Sequence, residues 1–310
     1  MDIRIDDQPA DDFIVLKGRP SLAKFIRYIR DNAIGGLWTN DGELAGEWRE
    51  ARTVIQQLEV SERGWADSPG IEPLPEGMTR LAEIGLQQPS VQRLKFFAPR
   101  RWCLVEIDKV VVFQRSINLR YVDEIKASLP AKPTHEDIIR TAVGNIDQRR
   151  PAVRAYKATD TSYSFSSASN DLRFLDVVNL DPRSIHDYQP SGCASNALVI
   201  FVGFSDNLIS AVRAGNRIIL TNGSHRAFAL RDLGIKHVPC LLAEATREEE
   251  FDIVLPGDVK EDREQYLRTP RPPVFKDYFD DRIRKIVPVA RVNRVLEAQL
   301  NLEKSSIPAL

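Results

Sequence analysis

The stretch that decides the fold is IILTNGSHRAFALRDLGIKHVPCLL, residues 218–242. Its first residues, Ile218–Leu220, are apolar and predict a strand. Asn222-Gly223 then forms a turn in which glycine accepts a positive φ at no steric cost. Apolar residues follow at helical spacing, and Gly234 is typical of a helix end. The stretch therefore predicts a strand, a glycine turn, a helix and a second strand at His237–Leu242.

The turn also has the composition of a phosphate-binding site. Asn222 or Ser224 is expected to cap the helix, and His225 and Arg226 fall in its first turn. Free backbone N–H groups and the positive end of the helix dipole favour an anion there. Arg226 would donate to phosphate oxygens, and His225 would donate or carry a proton. The alternative is a solvated His-Arg pair at an ordinary strand–helix connection.

Further strands are predicted just upstream. Ala197–Phe204 (ALVIFVGF) is a continuous apolar run, which is typical of a buried strand. Leu208–Val212 and Arg217–Leu220 flank the turn residues Ala214-Gly215-Asn216 and predict a hairpin.

The middle of the chain combines a strand, two helices and a polar insertion. Trp102–Phe113 is rich in β-branched and apolar residues and predicts a strand. Apolar residues at helical spacing follow, and Pro130 ends that helix. An insertion at about 131–195 contains a predicted helix, His135–Val143, and the serine-rich tract Ser162–Ser169. A stretch this long is expected to hold a helix and a hairpin of its own.

The two ends of the chain predict structure but no chemistry. Ser21 is a plausible N-cap for an amphipathic helix, and a second amphipathic stretch covers Leu44–Leu58. Near the other end, Thr269–Pro273 has the composition of a linker, and alternating residues at Leu296–Leu302 predict a half-buried strand. A basic cluster is interpreted as an ordinary charged face, and it comprises Arg282, Arg284, Lys285, Arg291 and Arg294.

Composition excludes several classes of protein. The 310 residues are 43% hydrophobic, so a packed core is expected. The net charge is −1 and the pI about 6.5, without the basic excess typical of proteins that coat DNA. Three widely spaced cysteines argue against a disulfide framework or a zinc knuckle. No signal peptide and no membrane span is predicted, and the expected location is cytoplasmic.

Two blocks of sequence resemble the ParB/sulfiredoxin superfamily. NGSHRAFALRDLGIKHVPCLL resembles its signature, a (D/G)-G-x-(H/R)-R turn that begins a helix ending in Leu-Gly, followed by a valine-proline strand. Leu233-Gly234 and Val238-Pro239 stand where that pattern has them. VEIDKVVVFQRSINLRYVDEIKASL resembles the ParB N-terminal block, and its matching residues are Gln114, Arg115 and Ser128. The resemblance covers about Trp102–Ala245.

The resemblance implies a fold class, and the sequence on either side of it completes a domain arrangement. The expected class is α/β (α+β), a ParB/sulfiredoxin-like mixed sheet with helices. The expected domains are a helical N-terminal extension at 1–98, the ParB/sulfiredoxin-like domain at 99–250 and a C-terminal extension at 251–310. The insertion at about 131–195 interrupts the central domain.

The resemblance also implies a nucleotide site, for ATP or CTP with Mg²⁺. The residues expected to bind the nucleotide are Asn222, Gly223, Ser224, His225 and Arg226, with Ser128 and Arg115 as weaker candidates. Free serine kinases of the superfamily are similar in the Gly-x-His-Arg turn and use an acidic general base, a role open here to Glu106 or Asp108. With His225, these are the candidate catalytic residues for NTP hydrolysis or phosphoryl transfer. No protein-held metal site is predicted.

Departures from the family patterns keep other functions open. Ser224 stands where sulfiredoxins have their catalytic cysteine, so thiol repair chemistry is not expected. No helix-turn-helix is predicted after Ala245, which argues against ParB centromere binding. One alternative is a non-catalytic, nucleotide-gated regulator or DNA-associated ParB-like protein, of a mobile element or a phage-defence locus. Another is a ParB-like nuclease. DNA, a protein partner and a homodimer stay open as partners.

Overall fold

The computed structural model describes residues 9–88, 91–92, 99–114, 116–144, 152–169, 172–186, 192–204, 208–245, 247, 249–251, 255–301 and 303. Helices make up 38% of the structure and strands 31%, and the strands form mixed sheets. The protein is therefore of the α+β class, as the sequence predicted. Within those residues, none of the helices combines the length and the apolar character needed to cross a bilayer.

The helices and strands have the following bounds. The strands are β1 (Ala10–Leu16), β2 (Ile71–Glu72), β3 (Arg100–Glu106), β4 (Ser116–Asn118), β5 (Arg154–Lys157), β6 (Ser162–Ser167), β7 (Leu172–Leu180), β8 (Ala197–Phe204), β9 (Ser210–Ala214), β10 (Arg217–Asn222), β11 (His237–Ala245), β12 (Arg284–Ala290) and β13 (Arg294–Gln299). The helices are α1 (Leu22–Asn32), α2 (Asp41–Ser61), α3 (Glu76–Leu86), α4 (Leu119–Ala127), α5 (His135–Val143), α6 (Ser224–Asp232) and α7 (Gly257–Glu261).

The chain folds into two compact units, each made of two separate stretches. Unit 1 contains Met1–Ile146 and Asn207–Arg291, and unit 2 contains Asp147–Asp206 and Val292–Leu310. The inserted part of the chain thus lies at 147–206, whereas the sequence placed it at about 131–195. Helix α5 has its predicted bounds but belongs to unit 1.

Strand pairing joins the two stretches of unit 1. β1 pairs antiparallel with β12, from Ala10↔Ala290 to Leu16↔Arg284, and with β4 on its other side. The three-stranded sheet has the order β12-β1-β4. The expected division into 1–98, 99–250 and 251–310 therefore differs from the compact units, because β1 and β12 are strands of one sheet.

The central sheet of unit 1 has the order β10-β9-β11-β3-β2. β11 pairs antiparallel with β3 and parallel with β9. Its side chains belong to two core clusters, since Leu241 and Leu242 lie in one and Ala243 lies in the other. Helix α6 packs into the first cluster through Phe228 and Leu230. The predicted hairpin is confirmed, because β9 and β10 pair across the turn Gly215-Asn216.

Helices α1 and α2 pack on the sheet formed by β12, β1 and β4. Ser21 caps α1 as predicted, since its Oγ accepts a hydrogen bond from the Lys24 N–H at 3.3 Å. A small core on this side contains Val15 of β1, Phe25 and Ile29 of α1, Leu44 of α2 and Val287 of β12. Ile14 and Ile117 belong instead to the core cluster that contains α6. The first hundred residues therefore form part of the core of unit 1.

The described elements of unit 2 are strands and one 3₁₀ turn, Pro182–Ser184. β13, β6 and β5 form one sheet, and β7 and β8 form a two-stranded sheet. The predicted burial of β8 is wrong: Leu198 is 58% exposed and Phe201 46% exposed. β8 pairs with β7 alone in the described part of the chain, so its apolar run is not covered as a central strand would be.

Two other sequence predictions were wrong in detail. The strand expected at Trp102–Phe113 ends at Glu106 and is followed by a 3₁₀ turn, Ile107–Lys109, although Val110–Val112 stay buried. The chain is extended again after this turn, because Val110 has extended dihedrals and Val111 forms β-bridges with Ile219 and Val274, so the predicted strand is interrupted rather than absent. The stretch Thr269–Pro273 is not a linker, because the Arg271 side chain is fully buried and forms two hydrogen bonds with the Asp277 carboxylate.

Candidate functional site

The predicted glycine turn connects β10 to α6. Gly223 has φ +85° and ψ 20°, the left-handed conformation expected for it. A Cβ at this position would lie 2.7 Å from Ile209 Cα and 3.0 Å from the Leu208 carbonyl oxygen. The turn therefore requires glycine both for its φ and for its close approach to the start of β9.

The first turn of α6 has no side-chain cap. The residue at the N-cap is Gly223, and no side chain caps this end of the helix. Asn222 Oδ1 accepts the Gly223 N–H at 2.9 Å, and Ser224 is buried as the first residue of the helix. The expectation that Asn222 or Ser224 caps the helix was therefore wrong. The N–H groups of the first turn keep the anion-binding capacity that a capping side chain would otherwise use.

His225 joins α6 to α4. Its Nε2 accepts a hydrogen bond from the Asn118 N–H at 3.0 Å, and its ring packs edge-on against Tyr121 with centroids 5.4 Å apart. Burial, and then the charge of Arg226, lowers the pKa of His225 to about 4. The imidazole is thus neutral near pH 7, and the lone pair of Nε2 is already used. This geometry leaves His225 poorly placed to take a proton from a substrate.

Arg226 lies in the same turn and is 9% exposed. Its charge is close enough to contribute to the lowered pKa of His225. A guanidinium in the first turn of a helix adds a full positive charge where the dipole is already positive. Arg226 therefore lies in the first turn of α6, next to His225.

Helices α4 and α6 lie side by side and run in the same direction. The Asn118–His225 hydrogen bond joins their N-terminal ends, and an ion pair between Lys126 and Asp232 joins their C-terminal ends. Asn118 also caps α4, since its Oδ1 accepts the Tyr121 N–H at 3.1 Å. Two positive helix ends are therefore neighbours at this place.

A buried carboxylate, Asp11, lies beside the start of α4. It accepts hydrogen bonds from Asn118 Nδ2, Arg120 Nε and the Arg291 guanidinium. Burial alone would raise the pKa of Asp11, but the hydrogen bonds, that from Arg291 foremost, lower it below its ordinary value. Asp11 is therefore ionised near pH 7, and two arginines neutralise its charge.

The candidate general bases lie at the opposite end of α6. Asp108 binds the Arg231 guanidinium through both oxygens, at 3.0 and 3.1 Å. Glu106 accepts the Gly70 N–H at 3.1 Å and pairs with Lys109 at 3.0 Å. Arg231 is near the end of α6, about 10 Å along the axis from its first turn at 1.5 Å per residue. Asp108 therefore cannot serve a reaction centred on Gly223.

Ser128 and Arg115, the weaker candidates, add nothing to the turn. Ser128 is the exposed C-cap residue of α4, and its Oγ donates to the Ile125 carbonyl oxygen at 2.7 Å. That end of α4 lies beside Asp232, again at the far end of α6. Arg115 lies outside the described residues.

The described residues also lack the ligands for a metal ion. Within them, no group of three or more His, Cys, Asp or Glu side chains is arranged to hold one. The predicted site thus reduces to an uncapped, positively charged helix start. Sequence analysis missed Asn118 and Asp11. These residues hold the start of α6 in place, although they are 107 or more residues away from it in the sequence. Asn118 had one local signal, its position just before an amphipathic helix.

Comparisons of the chain with models of protein families, with curated proteins and with solved structures found no match. The resemblance described above therefore rests on the residues of this chain alone. The fold defines an α+β protein, and the function must be argued from the geometry.

Proposed function

We propose that the protein binds a nucleotide, ATP or CTP, through its phosphates at the start of α6, and that the nucleotide acts as a conformational switch. The observation that carries the proposal is the uncapped first turn of α6, entered from the left-handed Gly223. Free N–H groups, a helix dipole and a nearby guanidinium together form a binding site for phosphate oxygens.

The neighbouring helix strengthens this field. The start of α4 lies next to the start of α6, and its Asn118 N–H is bound to His225. The negative charge of Asp11, which would otherwise oppose an anion, is balanced by Arg120 and Arg291. The net potential at the two helix ends therefore favours a phosphate.

A switch fits the geometry better than phosphoryl transfer. Asp108 is paired with Arg231 far from the turn, and His225 is neutral with its Nε2 lone pair in use. No described carboxylate group is placed to hold Mg²⁺, so Mg²⁺ would arrive with the nucleotide and no reaction step is derived through it. A nuclease would need such a group as well.

The candidate route from site to signal is the hydrogen-bonded chain from His225 through Asn118 to Asp11. It connects α6 with α4 and with β1. A phosphate at α6 that draws the first turn toward it would disturb these bonds and shift α4 relative to β1. Differential contact of this kind is what a ligand needs in order to change a conformational equilibrium.

A protein partner fits better than DNA as the receiver of this signal. Arginines of the basic cluster are paired with carboxylates: Arg282 with Asp280, and Arg284 with Asp281. Each phosphate contact of a DNA-binding protein needs a cation that is free to make it. The cluster therefore gives little net positive charge to a DNA surface.

Isothermal titration of the full chain with ATP, CTP and GTP, with and without Mg²⁺, tests the proposal. We expect Arg226→Ala to weaken binding about tenfold or more, because a charge-assisted hydrogen bond is removed. Arg231→Ala, on the same helix but at its other end, should bind as the wild type does. Tripolyphosphate should compete with the nucleotide in the wild type, a result that does not depend on the variant folding.

Two outcomes would count against the proposal. The phosphate site is wrong if no nucleotide binds the folded protein, or if Arg231→Ala weakens binding as much as Arg226→Ala. The switch is wrong if the bound nucleotide is turned over, with phosphate release that Arg226→Ala abolishes. That second result would favour the hydrolase or phosphotransferase expected from the sequence.

A further inference from the structure

Unit 1 contains a cavity of about 690 Å³ that the nucleotide proposal does not use. This volume falls within the range of about 300–1,000 Å³ typical of small-molecule sites. Faces of α1 and α2 form one wall, and α7 with the turn after it forms another. The cavity lies on the side of β1 that packs against α1, whereas α6 belongs to the core cluster of Ile14 and Ile117.

The wall made by α1 and α2 is cationic. Lys24 of α1 is exposed, and no ion pair of its ammonium is found among the described residues. Arg52 of α2 is half-buried, and its closest carboxylate contact is Glu59 at 3.5 Å. Both side chains therefore keep hydrogen-bond donors for an anionic group in the cavity.

Arg19 supplies a third positive charge beneath this wall. It is held by hydrogen bonds to the Arg271 and Pro272 carbonyl oxygens, and its Nε is buried without a partner among the described groups. Burial lowers the pKa of Arg19 to about 10, with the nearby Asp277 acting in the opposite direction. The guanidinium is still protonated near pH 7, and the Glu59 and Asp277 carboxylates, each 3.9 Å away, partly balance its charge.

Aromatic side chains also line the cavity, two of them on the wall made by α1 and α2. Trp48 is fixed by a hydrogen bond from its Nε1 to the Pro20 carbonyl oxygen at 2.8 Å. Tyr28 of α1 is half-buried, and Phe113 comes from the stretch before β4. These rings present flat apolar surfaces, which are suited to an aromatic ligand.

The wall made by α7 and the following turn is acidic. It presents Asp258, Glu261 and Asp262, all exposed. Asp262 Oδ1 accepts the Gln265 N–H at 3.1 Å, and no hydrogen bond or ion pair is found for the Glu261 carboxylate among the described residues. Buried Val259 anchors α7 in the second core cluster, so this wall is part of the fold.

We propose that this cavity binds a small aromatic zwitterion. Its anionic group would contact Lys24 and Arg52, its ring would lie against Trp48 and Tyr28, and its ammonium group would contact Glu261. The two walls carry opposite charges, so a ligand with a single charge is attracted by one wall and repelled by the other. A nucleoside triphosphate, with several negative charges, fits the acidic wall poorly, so this site is independent of the one at α6.

Titration calorimetry of the full chain with L-tryptophan tests the proposal. Tryptamine and indole-3-acetate each lack one of the two charges, and L-leucine lacks the ring. We expect each of the three to bind about tenfold more weakly or worse, as expected when a charged hydrogen bond or a ring contact is lost. Indole-3-acetate binding as tightly as tryptophan would overturn the need for a zwitterion.

Matched variants locate the site. Lys24→Ala should weaken tryptophan binding about tenfold, and Glu261→Gln about threefold or more, as expected for charge-assisted contacts near the surface. Arg27→Ala on α1 and Glu264→Gln after α7 are the controls, since neither residue lines the cavity. Each variant is exposed at the surface, and circular dichroism should show that it folds.

The remaining outcomes are decisive as well. No tryptophan binding at millimolar concentration overturns the proposal, as does an equal loss in the control variants. ATP or CTP binding retained in Lys24→Ala, together with lost tryptophan binding, supports two separate sites. Failure of nucleotide binding alone would contradict the proposed function and leave the aromatic site standing.

Discussion

The turn before α6 and the cavity between α1, α2 and α7 differ in how the sequence encodes them. The turn is encoded by five consecutive residues, Asn222–Arg226, whose composition predicted an anion site. The cavity is lined by residues from three distant parts of the chain, 15–52, 112–114 and 258–273, and no motif marks it. In the turn, much of the chemistry is committed to structure, as the His225–Asn118 bond shows. In the cavity, the Lys24 ammonium and the Glu261 carboxylate have no ion pair among the described residues and can contact a ligand.

The largest expected effect comes from breaking the support of the cavity. Asp277→Ala removes the closest carboxylate of the fully buried Arg271, which keeps only Glu62, and one of the two carboxylates near Arg19. We expect the free energy of unfolding to fall by about 3–5 kcal/mol, the usual result of removing one partner of a buried ion pair. Urea denaturation measures this. Asp281→Ala, which breaks the exposed pair with Arg284, should cost less than about 1 kcal/mol.

The turn should be nearly as sensitive as the cavity support. Gly223→Ala forces a side chain into φ +85° and places its Cβ 2.7 Å from Ile209 Cα. We expect a loss of about 2–4 kcal/mol from backbone strain and overpacking. Gly215→Ala is the control, because Gly215 has φ +62° but nothing within 4 Å of the added Cβ. Equal losses in the two variants, in chemical denaturation, would show that the packing at Gly223 is unimportant.

The role of His225 as a structural group predicts a pH dependence. Its pKa is about 4 in the folded protein and about 6.5 when unfolded. The unfolded state therefore binds the extra proton between these values, so the histidine destabilises the fold as the pH falls through this window. We expect the wild type to lose about 2–3 kcal/mol more than His225→Gln between pH 7 and pH 4.5. Denaturation at the two pH values measures the difference, and parallel curves would contradict the buried, neutral imidazole.

The smallest expected effect concerns the aromatic lining of the cavity. Trp48→Phe removes the hydrogen bond from Nε1 to the Pro20 carbonyl oxygen and should cost about 1 kcal/mol. Trp38→Phe is the matched control, since Trp38 is 83% exposed and should be neutral. Thermal denaturation compares the two. A neutral Trp48→Phe would mean that the indole is held by packing alone.

Local features of the fold could be predicted from the sequence. The hairpin at Gly215-Asn216, helix α5 and the Ser21 cap follow from rules that involve neighbouring residues, and the structure confirms them. Pairings across long separations could not be predicted. The β1–β12 pairing joins residues more than 260 positions apart, and no local pattern encodes that choice of partner.

Apolar composition was the least reliable guide. It predicted burial of β8, whose Leu198 is largely exposed, and one continuous strand through Val110–Val112, where a 3₁₀ turn at Ile107–Lys109 interrupts the strand. A run of apolar residues reports a tendency to leave water, while the partner that covers them is set elsewhere in the chain. At the site, likewise, the turn and helix start at Gly223–Arg226 could be predicted from the sequence. The distance of Asp108 and Ser128 from that turn depends on tertiary packing and could not.

The pairing of β1 with β12 has a consequence during synthesis on the ribosome. β1 is translated before its partner, which follows only after about 270 more residues, a delay of some tens of seconds at about 5–20 residues per second. Until then one edge of β1, with Ile14 and Val15 on its two faces, lacks its native partner. The nascent chain thus carries an open strand edge throughout this interval, in which a chaperone that covers the edge would prevent edge-to-edge aggregation.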